Sequence, residues 1–389
     1  MQRLKNVLKD VVLQLVNKSD IAADSPKPSQ AVRAFVEAAS TGESALYFDD
    51  PHALGKGAFT ALGEAAHDDG FRVTLGSFFG LHDFSFCAAR LQGASGLILE
   101  VEAAVKDPTA AEDLAAGACP LWSWALPTET TEADYLDRVD VARRAVGSGH
   151  LDKVVLARVA RREAPGGAGF NLLRSLTALR EAHPQAFVFA ATRGGDVFLG
   201  ATPETLLRVR DGRLHTEALA GTAAPGTPLE VLLSREKDRA EHAFVVDALL
   251  EALHPICTEV RLPATPELRV LTGLVHLRTP IVARLRSGVT AKDVLATLHP
   301  TPAVGGHPRA AALSFLREHE GLERGYYAGP VGYVDANGDG VFAVAIRSAL
   351  IRGSEAFLFA GAGLVEASDP HAEWQETELK LRTLSEVLS

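Results

Sequence analysis

The sequence predicts an α+β fold built on large antiparallel sheets. Short apolar strands alternate with helical patterns, without the strict strand–helix–strand repetition of a parallel sheet. Residues 330–333, 340–352 and 356–362 read as an antiparallel meander. At 47% hydrophobic and 23% charged, the 389 residues carry an ordinary globular core. A net charge of -10 and the absence of any Lys/Arg block argue against a nucleic-acid surface, so an anionic substrate has to be held locally.

In order along the chain, Leu4, Val7, Leu8, Val11, Val12 and Leu15 recur at helical spacing and predict an amphipathic helix over 1–16, not a signal peptide. Residues 17–30, rich in Ser, Asp, Lys and Pro, read as a linker. Strands are expected at 45–48, 73–79 and 84–91 and a helix at 57–66; His67 and His82 have no partners at useful spacing. Thr130 and Thr131 cap a helix that runs to Gly147. Residues 151–158 read as a strand whose alternation puts Lys153 on the apolar face of Leu151, Val155 and Ala157. Burial disfavours an ammonium, so such an amine can act as a general base near neutral pH. The alternative is an edge-strand lysine reaching solvent. Residues 165–169 form a plain turn, with no Gly-Lys-Ser/Thr after them to make a phosphate loop.

After strands at 187–191 and 197–200, Thr202 as cap and Pro203 at the first helical position predict a short helix with Glu204 at its positive end. Capping explains Glu204 there; proton donation would require burial or a neighbouring acid. A strand over 214–220 ends at Gly221, which permits close approach of backbone to ligand. In the helix over 234–247, Asp238 and Glu241 lie three apart on one face, and Glu373 and Glu376 repeat that spacing near the C-terminus. Either these are solvated helix faces, or two pairs face each other across a cation. All-oxygen ligands select a hard ion, with Mg2+ the natural candidate when a substrate oxygen completes the shell. Strands around 268–285 enclose His276, and the prolines and glycines of 298–306 suggest a shaped pocket wall. Gly361, Ala362 and Gly363 offer backbone N–H groups to a carboxylate, and Arg347 offers a bidentate partner to another. Residues 335–340 start like a calcium loop, but the twelfth position is Ile346, so they read as a hairpin turn. Cys87, Cys119 and Cys257 are scattered without metal spacing, which fits a reducing, cytoplasmic setting. No run approaches the about 18 apolar residues of a membrane span.

Several segments together resemble the chorismate-utilising enzymes, which include anthranilate, aminodeoxychorismate, salicylate and isochorismate synthases. They are Lys-Val-Val-Leu-Ala-Arg from Lys153, Phe-Leu-Gly-Ala-Thr-Pro-Glu from Phe198, Thr-Glu-Ala-Leu-Ala-Gly-Thr from Thr216 and Lys-Asp-Arg-Ala-Glu-His from Lys237. His-Pro-Thr-Pro-Ala-Val-Gly-Gly from His299, Tyr-Ala-Gly-Pro-Val-Gly from Tyr327, Gly-Ala-Gly-Leu-Val from Gly361 and Glu-Trp-Gln-Glu-Thr-Glu-Leu-Lys from Glu373 complete the set. The resemblance implies a layered antiparallel β-sandwich core with outer helices. It implies residues 1–30 as an N-terminal helix and linker, 31–130 as an α/β part packed on the core, and 131–389 as the chorismate-binding catalytic core. Ala220 stands where aminodeoxychorismate synthases carry a lysine, and Lys153 matches a base that anthranilate synthases lack; both favour water as nucleophile, without a glutamine amidotransferase subunit. The Pro-Thr-Pro-Ala-Val-Gly-Gly loop is similar to that of isochorismate synthases, and the Thr-Pro-Glu and Thr-Glu-Ala-Leu-Ala-Gly-Thr segments resemble the menaquinone branch more than the siderophore branch.

By the same resemblance Lys153 is the general base and Glu204 the general acid. Glu241 and Glu376 bind Mg2+ directly, Asp238 and Glu373 through water. Ala218, Leu219, Gly221, Thr222, His299, Tyr327, Arg347, Gly361, Ala362, Gly363 and Lys380 contact chorismate: Arg347 and Tyr327 its enolpyruvyl carboxylate, Lys380 and the glycine amides its ring carboxylate, and His299 the ring pocket.

Overall fold

A computed structural model describes residues 30–41, 45–51, 57–64, 72–75, 84–93, 98–100 and 127–388, apart from 168, 194–195, 272–273 and 336. The expected helix over 1–16, its linker, His67 and His82 lie outside the described residues. One sheet contains β1 (Ala45–Asp50), β2 (Gly57–Glu64), β4 (Phe84–Gly93), β5 (Ile98–Glu100), β6 (Lys153–Glu163), β7 (Phe187–Arg193), β8 (Asp196–Thr202), β14 (Gly306–His307), β17 (Ser348–Arg352) and β18 (Glu355–Leu364). Its order is β5-β4-β2-β1-β7-β8-β17-β18-β6-β14. The other contains β3 (Arg72–Leu75), β9 (Thr205–Arg210), β10 (Arg213–Ala223), β11 (Cys257–Arg261), β12 (Glu267–Leu271), β13 (Leu274–Leu285), β15 (Pro330–Val334) and β16 (Gly340–Val344). Its order is β3-β15-β16-β9-β10-β13, with β11 and β12 each paired to β13. All these pairings are antiparallel, and β4 joins the sheets by pairing with both β2 and β3.

Period-two alternation gives the first sheet two apolar faces. Leu46, Phe48, Phe187, Phe189, Phe198 and Phe359 join one core with Leu207, Leu214, Ile281 and Phe342 of the second sheet. Their alternates Ala45, Tyr47, Val188, Ala190, Leu199 and Leu358 pack against residues of α1 (Gln30–Thr41), α3 (Leu172–Ala182) and α8 (Pro370–Ser385). Beside β6, α2 (Glu132–Gly147) starts at the expected cap, where Thr131 accepts a hydrogen bond from Asp134 N. Against the second sheet pack α5 (Glu236–Leu253) and α6 (Ala291–Leu298). The strand carrying Lys153 is buried from 153 to 159 on both faces; β18 pairs along one side, and on the other β14 covers Lys153 and Val154. Arg158 fastens α8 to it: the guanidinium lies 3.6 Å from the Trp374 ring centroid, donates to Thr377 Oγ1 at 2.6 Å and pairs with Glu378.

Three local expectations are corrected. Residues 57–64 form a strand, not a helix, because β1 and β4 supply ladder partners on both sides and pairing overrides local propensity. Thr202 ends β8 and Thr205 starts β9, so Glu204 sits in a two-residue connection between strands and not at a helix N-terminus. The stretch 340–352 is two strands, broken where Arg347 takes φ +50°. The turn at 335–340 stands as expected, with Asp335 Oδ1 accepting from Asn337 N and Asp339 N.

Gly306 lies at φ +143°, and an added Cβ would collide with the Lys153 carbonyl oxygen and stand 2.8 Å from Ala312 Cβ. Gly306→Ala is expected to destabilise the fold by about 1–3 kcal/mol in urea unfolding, as overpacking typically does. Wild-type stability in that variant would contradict the close seating of this loop on β6.

Candidate active site

A narrow cleft opens between the two sheets. The second sheet contributes Leu219, Ala220, Thr222 and His276; the first contributes Val155, Phe359, Ala360, Gly361 and Gly363. The β8–β9 connection adds Pro203 and Glu204, the break before β17 adds Ile346 and Arg347, and the 298–306 loop adds Ala303 and Val304. Glu241, Tyr327 and Lys380 complete the lining.

Glu204 is held by its backbone: its N–H donates to Thr202 Oγ1 at 3.2 Å and its carbonyl accepts from Val344 N at 3.1 Å. Its carboxyl is buried, and among the described residues it has no ion-pair partner. Burial, reinforced by nearby Glu217, raises its pKa to about 7 against the opposing pull of Arg347, Lys153 and Lys380. The acid form at neutral pH is therefore set by desolvation, the condition that proton donation requires.

Lys153 is fully buried, with Nζ 3.1 Å from Glu241 Oε1 at an angle outside hydrogen-bond geometry. Gly363 makes this contact possible, since a Cβ there would overlap Glu241 Oε1 and stand 3.0 Å from Lys153 Cε. Gly361 does the same for Tyr327, whose hydroxyl would lie 2.9 Å from an added Cβ. The Tyr327 ring stacks on Phe359 at 5.2 Å, and burial pushes its pKa up to about 12, keeping the hydroxyl protonated as a donor.

Arg347 is 8% exposed and its guanidinium has no hydrogen-bond partner among the described residues. A buried cation without a partner is costly, so the cleft is prepared for an anion. Lys380 Nζ bridges Gly361 O (2.7 Å) and Glu376 Oε1 (2.6 Å). Ala157 N and the N–H and C=O of Val155 bond away from β18, so their partners Gly361 and Gly363 are non-hydrogen-bonded pairs whose N–H groups also point away from β6. That edge is open because β17 ends its pairing with β18 at Phe359.

The two acidic pairs do lie on facing helices, but each carboxylate meets a cation of the protein. Lys237 Nζ is 2.5 Å from Glu373 Oε1, and Asp238 lies 3.7 Å from Arg235. Burial disfavours the Lys237 ammonium, yet Glu373, Glu241 and Glu376 together outweigh this and raise its pKa. An ammonium so stabilised marks a focus of negative potential between the helices. Among the described residues no three acidic, His or Cys side chains converge as a ligand cluster. Mg2+, which is commonly held by one or two carboxylates with water and substrate oxygens, does not require such a cluster. Together with the buried, unpartnered Glu373 Oε2, this donor set fits a hard cation.

Not every expected residue reaches the cleft. His299 is the buried C-cap of α6 and does not line the cleft, and neither do Lys153, Asp238, Glu373 and Glu376. Ala218 and Ala362 are fully buried beside lining residues, and Gly221 (φ +75°) turns β10 past Asp238. His276, to which the sequence assigned no role, does line the cleft. Its Nδ1 shares a 3.0 Å hydrogen bond with Thr222 Oγ1, and burial with Arg347 and Lys380 lowers its pKa to about 3, so the ring is neutral. The signal for it is the register Thr222↔His276 between β10 and β13, which pairs residues far apart in sequence.

The chain belongs to the chorismate-binding enzyme family, whose model matches residues 100–389. It is 44% identical over 259 residues to the salicylate biosynthesis isochorismate synthase of Pseudomonas aeruginosa, covering 65% of this chain and 54% of that protein. To isochorismate synthase MenF of Bacillus subtilis it is 38% identical over 267 residues, covering 67% and 56%. The chain thus spans about half the length of these relatives. Among solved structures, MenF, the menaquinone-specific isochorismate synthase from Escherichia coli, superposes with a TM-score of 0.75 at 25% identity, covering 99% of this chain and 100% of that one.

The acid form of Glu204 has a measurable consequence. An unfolded glutamate ionises near 4.5 and this one near 7, so between those values the folded state binds the extra proton and Glu204's contribution to stability falls as pH rises. Glu204→Gln should therefore gain on wild type by up to about 3 kcal/mol between pH 5 and pH 8 in urea unfolding. A gap independent of pH would contradict the raised pKa.

Proposed function

We propose that this protein is an isochorismate synthase, a Mg2+-dependent isomerase in which water adds at C2 of chorismate while the C4 hydroxyl leaves and the ring double bonds shift. The observation that carries the reading is a buried acid with its pKa raised to about 7 sharing a cleft with an arginine that lacks a partner, while the buried Lys153 lies against Glu241 of the cleft lining. The relatives from Pseudomonas aeruginosa and Bacillus subtilis and the menaquinone-specific enzyme from Escherichia coli all carry isochorismate synthase in their names. Ala220, in the cleft, provides no amine for a covalent route, which accords with water as nucleophile and no amidotransferase subunit. A cytoplasmic setting belongs to the same reading, supported by the free, buried thiol of Cys257.

In this mechanism Arg347 and Tyr327 hold the enolpyruvyl carboxylate, and Lys380 with the Gly361 and Gly363 amides holds the ring carboxylate. Lys153 takes a proton from water as its oxygen bonds to C2, and Glu204 gives a proton to the C4 oxygen as that bond breaks. The two groups therefore end each turnover with protonation states exchanged and must re-equilibrate. Held by Glu241 and Glu376, with Asp238 and Glu373 acting through water, Mg2+ would supply positive charge to the ring carboxylate and neutralise the Glu241 carboxylate beside Lys153.

Incubation with chorismate and Mg2+, followed by chromatography and a coupled pyruvate assay, should yield isochorismate without pyruvate. Salicylate with stoichiometric pyruvate would overturn the isomerase reading in favour of a lyase. Lys153→Ala and Glu204→Gln should each lower kcat by about 10²–10⁴-fold, the usual range for an acid or base, with chorismate affinity nearly unchanged. Loss of binding in a folded variant would contradict the assigned role. Glu376→Ala should raise the Mg2+ concentration needed for half-maximal activity, and an unchanged titration would refute that residue as a ligand.

A further inference from the structure

A buried ion pair stands where β6 has no strand beside it. On that edge β14 pairs only with Lys153 and Val154. Beyond it, Val155 N donates to Gly305 O at 2.9 Å, but Val155 O and Ala157 N face the protein interior, where an unpaired backbone group is costly. Side chains satisfy them. Arg324 Nη2 donates to Val155 O at 2.5 Å, and Ala157 N donates to Glu320 Oε1 at 2.7 Å. The two side chains grip each other through Nε to Oε2 at 2.7 Å and Nη2 to Oε1 at 2.6 Å, and both residues are 0% exposed. Arg324 Nη1 also donates to Val304 O at 2.8 Å, and the Arg324 carbonyl accepts from Tyr327 N at 2.9 Å.

One rigid guanidinium therefore refers the strand of Lys153, two residues away, to the wall at Val304, while the backbone of the same residue anchors the turn that bears Tyr327. Burying two charges costs several kcal/mol per ion before their attraction is counted, so stability alone is a weak reason for the pair. A guanidinium differs from an ammonium in holding its donors in a fixed planar fork, which is suited to fixing angles between its acceptors.

We propose that Glu320 and Arg324 are positioning residues for the reaction, holding the Lys153 strand in register with the pocket wall. The inference rests on the proposed function, in which Lys153 is the base. Small misplacements of a reacting group lower turnover steeply while leaving substrate contacts in place, so the pair should act on kcat and little on KM.

The test measures kcat and KM for isochorismate formation, with circular dichroism and unfolding curves, in wild type, Arg324→Ala, Arg324→Lys and Glu320→Gln. Arg324→Ala should lose about tenfold or more in kcat with KM changed by less than about threefold. Guanidinium ion at sub-denaturing concentration should restore part of that loss by filling the vacated site, and Arg324→Lys should fall in between. Wild-type kcat in the folded variants, or a loss that tracks only the unfolded fraction and that guanidinium does not restore, would overturn the proposal. If both arginine variants fail to fold, Glu320→Gln decides: it keeps an acceptor for Ala157 N, and a lower kcat at unchanged KM supports the proposal, whereas unchanged kcat refutes it. A wild-type enzyme that forms no isochorismate would instead refute the reading on which the inference stands.

Discussion

The contact between Lys153 and Glu241 joins the two halves of the molecule's chemistry. It links a strand of the first sheet to a helix packed on the second, inside a seam that excludes water. Much of the neighbouring sequence is constrained by it. Gly363 leaves room for the two side chains to meet, Gly306 lets the pocket wall lie against the strand, and Arg158 fixes the C-terminal helix with its two glutamates nearby. Without that framing a buried amine would have neither a defined position nor a counter-charge.

Differences among the buried acids then divide the labour. Glu241, Glu373 and Glu376 each have a lysine Nζ within 3.1 Å, and Glu217 pairs with Arg278. Against the upward push of burial, Lys380 and Lys237 hold Glu376 below the ordinary carboxylate range, whereas burial raises Glu373 to about 7. Glu204 has no ion-pair partner among the described residues, and desolvation raises its pKa to about 7, so the acid form is populated near neutral pH. One residue type thus meets different surroundings, and the proposed mechanism separates the acid from the metal ligands on that basis. Arg347, strained at φ +50° and unpartnered, is the complementary case on the cationic side.

How much of this the sequence discloses follows from the range over which each signal acts. Alternation placed Lys153 on a buried face, and three-residue spacing placed Asp238 with Glu241 and Glu373 with Glu376, because both are local periodicities. The Pro/Gly content of 298–306 marked the wall for the same reason. Local signals misread Glu204, since Thr-Pro-Glu opens a helix in isolation but here joins two strands that are each paired elsewhere. They misread 57–64 because its ladder partners lie on separate strands. His276 and the Glu320–Arg324 pair gave no signal: their roles come from the β10–β13 register and from the vacant edge of β6, which exist only once the chain has folded.

The central claim is that the fold raises the Glu204 pKa into the neutral range, so that the acid form is populated there. Carbon-13 NMR of protein labelled at the glutamate carboxyls, titrated against pH and compared with Glu204→Gln, measures that directly. The account predicts that the resonance missing from the variant titrates with a midpoint near 7. A midpoint near the ordinary 4.5 would contradict it, leaving the cleft with an anion where the reaction needs an acid.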